Sequence, residues 1–171
     1  VYAAQLSARQ EVLTNSSSAT GVGLVSLDPV TKRFTARLTL TGMAATMAHI
    51  HTGNLGANGG VVFGLTETST GSNIWVSAAD APDMTDEQIT TLKAGGLYFN
   101  AHSATFPSGE IRGQIARNVG YAALNGAQEV PANGSTAAGA GTLVIDPATR
   151  AVISGTVVTT GIATINPSHI H

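Results

Sequence analysis

The sequence lacks cysteine, is poor in charge and contains no long apolar run. Without cysteine, core burial or a metal ion rather than disulfides would have to stabilise an exported form of the chain. Charged residues make up 11% of its 171 residues and the formal net charge is -2, whereas about 25% is usual in soluble domains. Without a basic patch or a known motif, we expect no nucleic-acid binding. No apolar stretch approaches the ~20 residues of a membrane span, so none is expected.

What the sequence does contain is an internal repeat. The first copy opens with YAAQLSARQEV at Tyr2, and the second opens with YAALNGAQEV at Tyr121 and stops at SHIH. The two copies start more than 100 residues apart, which indicates tandem domains rather than the much shorter repeats of a solenoid. We therefore predict a complete domain over residues 1–117. Residues 118–171 are predicted to be a linker and an incomplete second repeat, either because the sequence is truncated or because another chain supplies the missing strands.

Strand patterns dominate both copies. Apolar residues alternate with polar ones over residues 33–42, where Phe34, Ala36, Leu38 and Leu40 share one face. Between residues 21–27 and this segment, Asp28-Pro29 predicts a tight hairpin turn. Further strands are predicted over 48–52, 61–66, 96–102 and 109–117. Short strands separated by Gly, Asn and Pro are typical of an antiparallel sandwich or barrel.

One short helix is predicted over residues 86–94. Thr85 and Gln88 form a capping-box pattern at its start, and Gly95 and Gly96 follow its last turn. The fold class is therefore all-β with one short helix.

Histidine supplies the clearest chemical signal. Residues i and i+2 of a strand point to the same side, with Cα atoms about 6.6–7 Å apart, so that two imidazoles at this spacing can reach one ion. A histidine on a later strand can add a third nitrogen, and three imidazoles suit Cu(II) or Zn(II). We predict a metal site, with copper favoured over zinc; hydrogen-bonded structural histidines are the alternative. The candidate ligands are His49, His51, His102, His169 and His171.

Two methionines precede the first histidine pair. Met43 and Met47 could offer thioether sulfur to Cu(I). The alternative is that they fill gaps in the core, which is the more common role of methionine. In the second copy, Ile162 replaces Met43.

Several motifs together resemble the CHRD domain, the repeat named from chordin. They are YAAQLSARQEV, MAHIHTG, LKAGGLYFNAHS and FPSGEIRGQI, and they cover residues 2–116, while 121–171 resembles the front half of a second domain. The resemblance implies an immunoglobulin-like or superoxide-dismutase-like antiparallel Greek-key sandwich in an exported protein. It carries the family's histidines onto His49, His51 and His102.

The first residue of the sequence and two Asn-x-Ser motifs bear on location and modification. The chain starts at Val1 without Met, which fits a mature N-terminus after signal-peptide cleavage or an expression product. We expect a secreted, extracellular or periplasmic protein. Asn15 and Asn133 fit the glycosylation pattern, but loop composition is the favoured explanation of both matches.

Three hypotheses for function remain. The first is a secreted, non-enzymatic protein that binds metal through strand histidines. The second is a structural subunit of an extracellular assembly or filament, which pairs with itself or another chain through open strand edges as a homo-oligomer. The third is a copper-dependent oxidoreductase, by a fold-level analogy with Cu,Zn superoxide dismutase that does not establish function. No nucleophile with an adjacent base is recognisable, so we expect no enzymatic activity.

Overall fold

Over its described residues, the chain folds into β-strands with one short α-helix. The computed structural model describes residues 1–117, 119–145 and 152–162. Within them the strands form an eight-stranded sheet and a three-stranded sheet. The predicted all-β class with one short helix is confirmed. Among the described residues, no helix has both the length and the apolar character needed to cross a membrane.

The larger sheet occupies the first two thirds of the chain. Its strands are β1 (Tyr2–Ser7), β2 (Thr20–Leu27), β3 (Phe34–Thr41), β4 (Ala45–Thr52), β5 (Val61–Glu67), β6 (Ile74–Val76), β7 (Leu97–Ser103) and β8 (Ile111–Ile115).

Alternation of side chains determines which face of each strand is buried. In β3, Phe34, Ala36, Leu38 and Leu40 are buried and the intervening residues are exposed, as the period-two pattern predicts. The strands β7 and β8 differ because every residue in them is buried. Both faces of these two strands are therefore covered, and polar side chains such as Arg112 lie in the interior.

The strands close into a barrel. Their hydrogen-bonded order is β1-β2-β3-β6-β5-β4-β7-β8, and β8 returns to β1. The closing contact is small, since it consists of the pair Ser7 and Arg112 and a bridge between Ala3 and Ala116. The structure thus adopts the barrel alternative of the sequence analysis, and this hydrogen bonding differs from the two separate sheets of a sandwich. The Greek-key description stays a prediction.

A shared apolar core fills the barrel. The core cluster draws its members from all eight strands, with Val25, Leu38, Ile50, Phe99 and Ile111 completely shielded from solvent. Its residues all lie between Tyr2 and Ile115, so the first unit has a core of its own.

The helix and the first hairpin turn match their predictions. Helix α1 spans Asp86–Lys93, with the full capping box between Thr85 and Gln88. Gly95 follows with a φ of 74°, which favours glycine. At the turn, the Asp28 carboxylate accepts hydrogen bonds from the backbone of Val30, at 2.8 Å, and Thr31, which holds the pKa of Asp28 below its usual value.

The three-stranded sheet repeats the start of the barrel. Its strands are β9 (Val119–Asn125), β10 (Ala138–Ile145) and β11 (Val152–Thr160). A shift of 118 residues superimposes the first residues of β2 and β3 on those of β10 and β11. The pairing also repeats, because Ser7 lies opposite Thr20 and Asn125 lies opposite Ala138. The second copy therefore folds like the first over its described strands, and its status as an incomplete domain stays a prediction.

A bulge explains why the spacing between equivalent residues of the two copies increases along the second sheet. The spacing is 118 residues at the first residue of β10 and at the first residue of β11, and the register shifts between Val144 and Ile145. After this bulge the spacing is 119, since Gly161 has the left-handed φ of Gly42, 74° against 79°. The histidines of the second copy, His169 and His171, lie outside the described residues.

Candidate metal centre

Strands β4 and β7 bring three histidines together. His49 and His51 lie two residues apart on β4 and therefore share a face. The neighbouring strand β7 runs antiparallel and pairs His102 with Met47 and Asn100 with His49. Because directly opposite residues lie on the same side of a sheet, His102 lies on the face of the first pair.

Two register irregularities flank this part of β4. On the β7 side, Thr46 is unpaired between the pairs made by Ala45 and Met47, and its hydroxyl donates to the carbonyl of His102 at 3.3 Å. On the β5 side, the register shifts between Ile50 and His51. Bulges frequently lie beside functional sites because they redirect side chains.

The three rings lie within reach of one ion. Nδ1 of His49 lies 3.2 Å from Nε2 of His102. One ring nitrogen from each of His49, His51 and His102 falls within 4.8 Å of the others. Two nitrogens bound tetrahedrally at 2.0–2.1 Å would be about 3.3 Å apart. The structure thus brings together three of the five predicted ligands in a group that could hold a metal ion, while metal binding by each residue stays a prediction.

Backbone carbonyls fix the tautomers of two histidines. Nδ1 of His51 lies 3.0 Å from the carbonyl of Gly59, and Nδ1 of His102 lies 3.1 Å from the carbonyl of Pro107. A carbonyl only accepts, so each Nδ1 donates a proton and each Nε2 keeps its lone pair. Metal-ligating histidines commonly donate their other nitrogen in this way. Nε2 of His51 is buried and has no hydrogen-bond partner.

Burial also keeps these imidazoles neutral. It lowers the pKa of His49, His51 and His102 below the usual value of 6.5, and for His51 and His102 the charges of neighbouring groups lower it further. The hydrogen bonds to the carbonyls act in the opposite direction but are smaller effects. Neutral imidazole is the form that binds metal, so the site is ready at neutral pH.

A buried cation lies behind the histidine site. The ring of Tyr98 stacks on His51 with centroids 5.0 Å apart and an interplanar angle of 14°. The guanidinium of Arg112 lies 3.5 Å from the centroid of the Tyr98 ring. Arg112 is completely buried and donates to the carbonyls of Asn54, at 2.7 Å, and Ala57, at 2.8 Å. These contacts fix the loop that follows β4.

This loop spans residues 53–60, and one of its glycines, Gly59, is required by its contacts. Gly59 accepts from His51 and donates its N–H to the hydroxyl of Tyr98 at 3.3 Å. A Cβ at Gly59 would overlap the carbonyl of Thr52. Only glycine therefore lets the loop approach β4 closely enough to orient the His51 ring.

A buried polar cluster that was not predicted from the sequence lies next to the site. Glu11 is buried and accepts a hydrogen bond from Asn100 at 2.5 Å. Burial raises the pKa of Glu11 from 4.5 to about 7, although the hydrogen bond and the charge of Arg112 lower it. Glu110 accepts a hydrogen bond from the hydroxyl of Ser17 at 2.7 Å. Repetition of Glu in the QEV motif is the sequence signal for this cluster.

Fold and site together define an all-β barrel domain with a cluster of three histidines on one face. A family model of the CHRD domain matches residues 2–115, and the chain belongs to this family. The predicted resemblance is thereby confirmed for the first repeat. Comparisons with curated proteins and with solved structures gave no match.

Proposed function

We propose that this protein is an exported, non-enzymatic metal-binding protein and that copper is its metal. The observation that carries the proposal is Nε2 of His51, which is buried without a partner while Nδ1 of the same ring donates to a carbonyl. A buried acceptor without a partner costs about 1–3 kcal/mol. A metal ion shared with His49 and His102 removes this cost.

The donor set favours copper or zinc over hard cations. Within the described residues, the group contains imidazole nitrogen without carboxylate or thiolate, and imidazole suits copper and zinc while Mg and Ca require oxygen. Among divalent ions at a nitrogen site, copper binds more tightly than zinc. Export is supported by the family, because CHRD domains are mostly found in exported proteins.

Metal titration of the intact chain tests the proposal. We expect His49→Ala/His51→Ala to weaken Cu(II) and Zn(II) binding by more than the 10- to 100-fold typical of losing an outer-shell partner. His169→Ala/His171→Ala is the matched control, since it removes the chain's other His-x-His pair and should leave the tightest site intact. Calorimetry with each ion gives the affinities. Equal affinity for wild type and the His49/His51 variant would remove the proposal.

A second function, a structural subunit of an assembly, is favoured by exposed apolar residues in the second sheet. Leu124, Val152 and Val157 are exposed at 38%, 59% and 47%. Their counterparts in the first repeat are core residues buried to 8% or less, namely Leu6, Phe34 and Leu38. We propose that a neighbouring chain covers this face, which is compatible with metal binding by the barrel.

A further inference from the structure

Met47 lies beside the three histidines and has no role in the core. It is the direct cross-strand partner of His102 and lies two residues before His49 on β4. Opposite residues have Cβ atoms about 4.5–5.5 Å apart, and methionine is long and unbranched with three rotatable bonds. The thioether can therefore reach an ion held by the rings of His49 and His102.

The other two methionines are used elsewhere. Of the three in the chain, Met84 is a core residue with 2% exposure and Met43 packs against the core cluster. Met47 instead leaves 48% of its surface exposed. Core filling, the usual explanation for a methionine, thus accounts for Met43 and Met84 but not for Met47.

We propose that Met47 supplies a thioether sulfur to the ion at His49, His51 and His102, and that the site selects Cu(I). This inference rests on the proposed metal-binding function and specifies its oxidation state. Thioether sulfur is a soft donor that favours Cu(I) over zinc.

The charges around the site favour a monovalent ion for an independent reason. Imidazoles and a thioether are neutral donors, and within the described residues no carboxylate joins the ligand group. Behind this group, the buried Arg112 already places a positive charge against Tyr98, which stacks on His51. A divalent ion would add two positive charges to this region and Cu(I) adds only one, so electrostatic repulsion from Arg112 is smaller for Cu(I).

The second repeat provides an internal contrast. Its histidine pair, His169 and His171, is preceded by Pro167 at the position that corresponds to Met47. The second pair therefore lacks the sulfur donor, and the selectivity for Cu(I) belongs to the first repeat alone.

Met47→Leu tests the proposal because leucine conserves volume and removes the sulfur. Met43→Leu is the matched control on the same stretch of chain. We expect Met47→Leu to weaken anaerobic Cu(I) binding at least about tenfold, measured by competition with a chromophoric Cu(I) chelator. Zn(II) affinity should change little in either variant, and Met43→Leu should leave Cu(I) affinity unchanged. X-ray absorption of the copper-loaded wild type should show a sulfur neighbour that Met47→Leu lacks.

These measurements distinguish the role of Met47 from metal binding by the three histidines. Unchanged Cu(I) affinity in Met47→Leu, with the His49/His51 variant still defective, would overturn the role of Met47 and leave the histidine site standing. An equal loss of Cu(I) and Zn(II) in Met47→Leu would overturn the selectivity and assign Met47 a structural role. A wild-type chain that binds neither ion would overturn both proposals.

Discussion

The residues behind the histidines show how this domain keeps a charge in its interior. Arg112 is completely buried, and a buried charge is stable only with partners that replace water. It has two backbone carbonyls, the face of Tyr98 and the nearby Glu11. Glu11 reaches this region through Asn100. The same side chains therefore solvate the cation and support the strand that carries His102.

Replacement of Glu11 should change how stability depends on pH. Because burial raises its pKa to about 7 in the folded protein, the stability that neutral Glu11 contributes is full below pH 4.5 and is lost as the pH rises through 7. Relative to Glu11→Gln, the wild type should lose about 3 kcal/mol of unfolding free energy between pH 4 and 8. Urea denaturation of both proteins at several pH values measures the difference.

The comparison between variant and wild type is necessary because the histidines change stability with pH in the opposite direction. Their pKa is lowered, so their contribution is present above 6.5 and is lost as the pH falls. This effect is common to wild type and Glu11→Gln and cancels in the difference. The exposed Glu87 provides a control, since Glu87→Gln should follow the wild type. Parallel curves for wild type and Glu11→Gln would show that folding does not raise the pKa of Glu11.

The site was only partly predictable at this scale. The His-x-His spacing and the strand pattern together predicted that His49, His51 and His102 converge. The carbonyls that fix their tautomers belong to Gly59 and Pro107, which lie in irregular loops. Neither periodicity nor composition predicts where a loop carbonyl points, because that depends on tertiary contacts such as those of Arg112.

At the scale of elements, alternation predicted most strands but not their order. Two strands of the barrel, β1 (Tyr2–Ser7) and β6 (Ile74–Val76), were not among the predicted strands. Strand β6 has only three residues among Ser, Thr and Gly, which give no measurable period. It nevertheless connects β3 to β5 and buries Trp75. Closure between β1 and β8 was also beyond prediction, because it depends on the close approach of two backbones rather than on a pattern of apolar residues.

That close approach requires glycine at position 113. A Cβ there would overlap the carbonyl of Gln5 and lie 2.8 Å from the side chain of Leu6. Gly113→Ala should therefore separate β1 from β8 and lower the unfolding free energy by about 1–3 kcal/mol, as overpacking typically does. Urea denaturation measures the loss. Hydrogen exchange should accelerate at the amides of Ala3 and Ala116, which pair across the closing contact.

Gly64 provides the control for this substitution. It lies in β5, where an added Cβ meets nothing within 4 Å. Gly64→Ala should leave stability unchanged or raise it by up to about 1 kcal/mol, because alanine restricts the unfolded chain. If Gly113→Ala were as stable as Gly64→Ala, the close approach of β1 and β8 would not be what holds the barrel closed.

At the scale of the whole molecule, the two repeats differ in how the apolar face of their equivalent strands is covered. In the barrel, β4 to β8 complete the layer that buries Leu6 and Leu38. In the second sheet, the matching residues Leu124 and Val157 remain exposed, as does Val152. These three exposed apolar residues lie on β9 and β11, the two outer strands of the sheet, and exposed apolar surface of this kind promotes association. The incomplete second repeat predicted an uncovered apolar face, and the exposed fractions identify the residues that form it.

We expect this face to drive self-association of the chain. Sedimentation velocity at increasing concentration should show a rising average mass for the wild type and a smaller rise for Leu124→Ser/Val157→Ser, because the variant removes apolar area from the contact. Val22→Ser/Leu24→Ser is the matched control, since these residues are exposed at 54% and 44% on β2 of the barrel. It should associate like the wild type, and both variants should keep the metal affinity of the histidine site. A wild-type chain that stays monomeric throughout, or a control that dissociates as readily as the Leu124/Val157 variant, would show that the second sheet is not the contact surface.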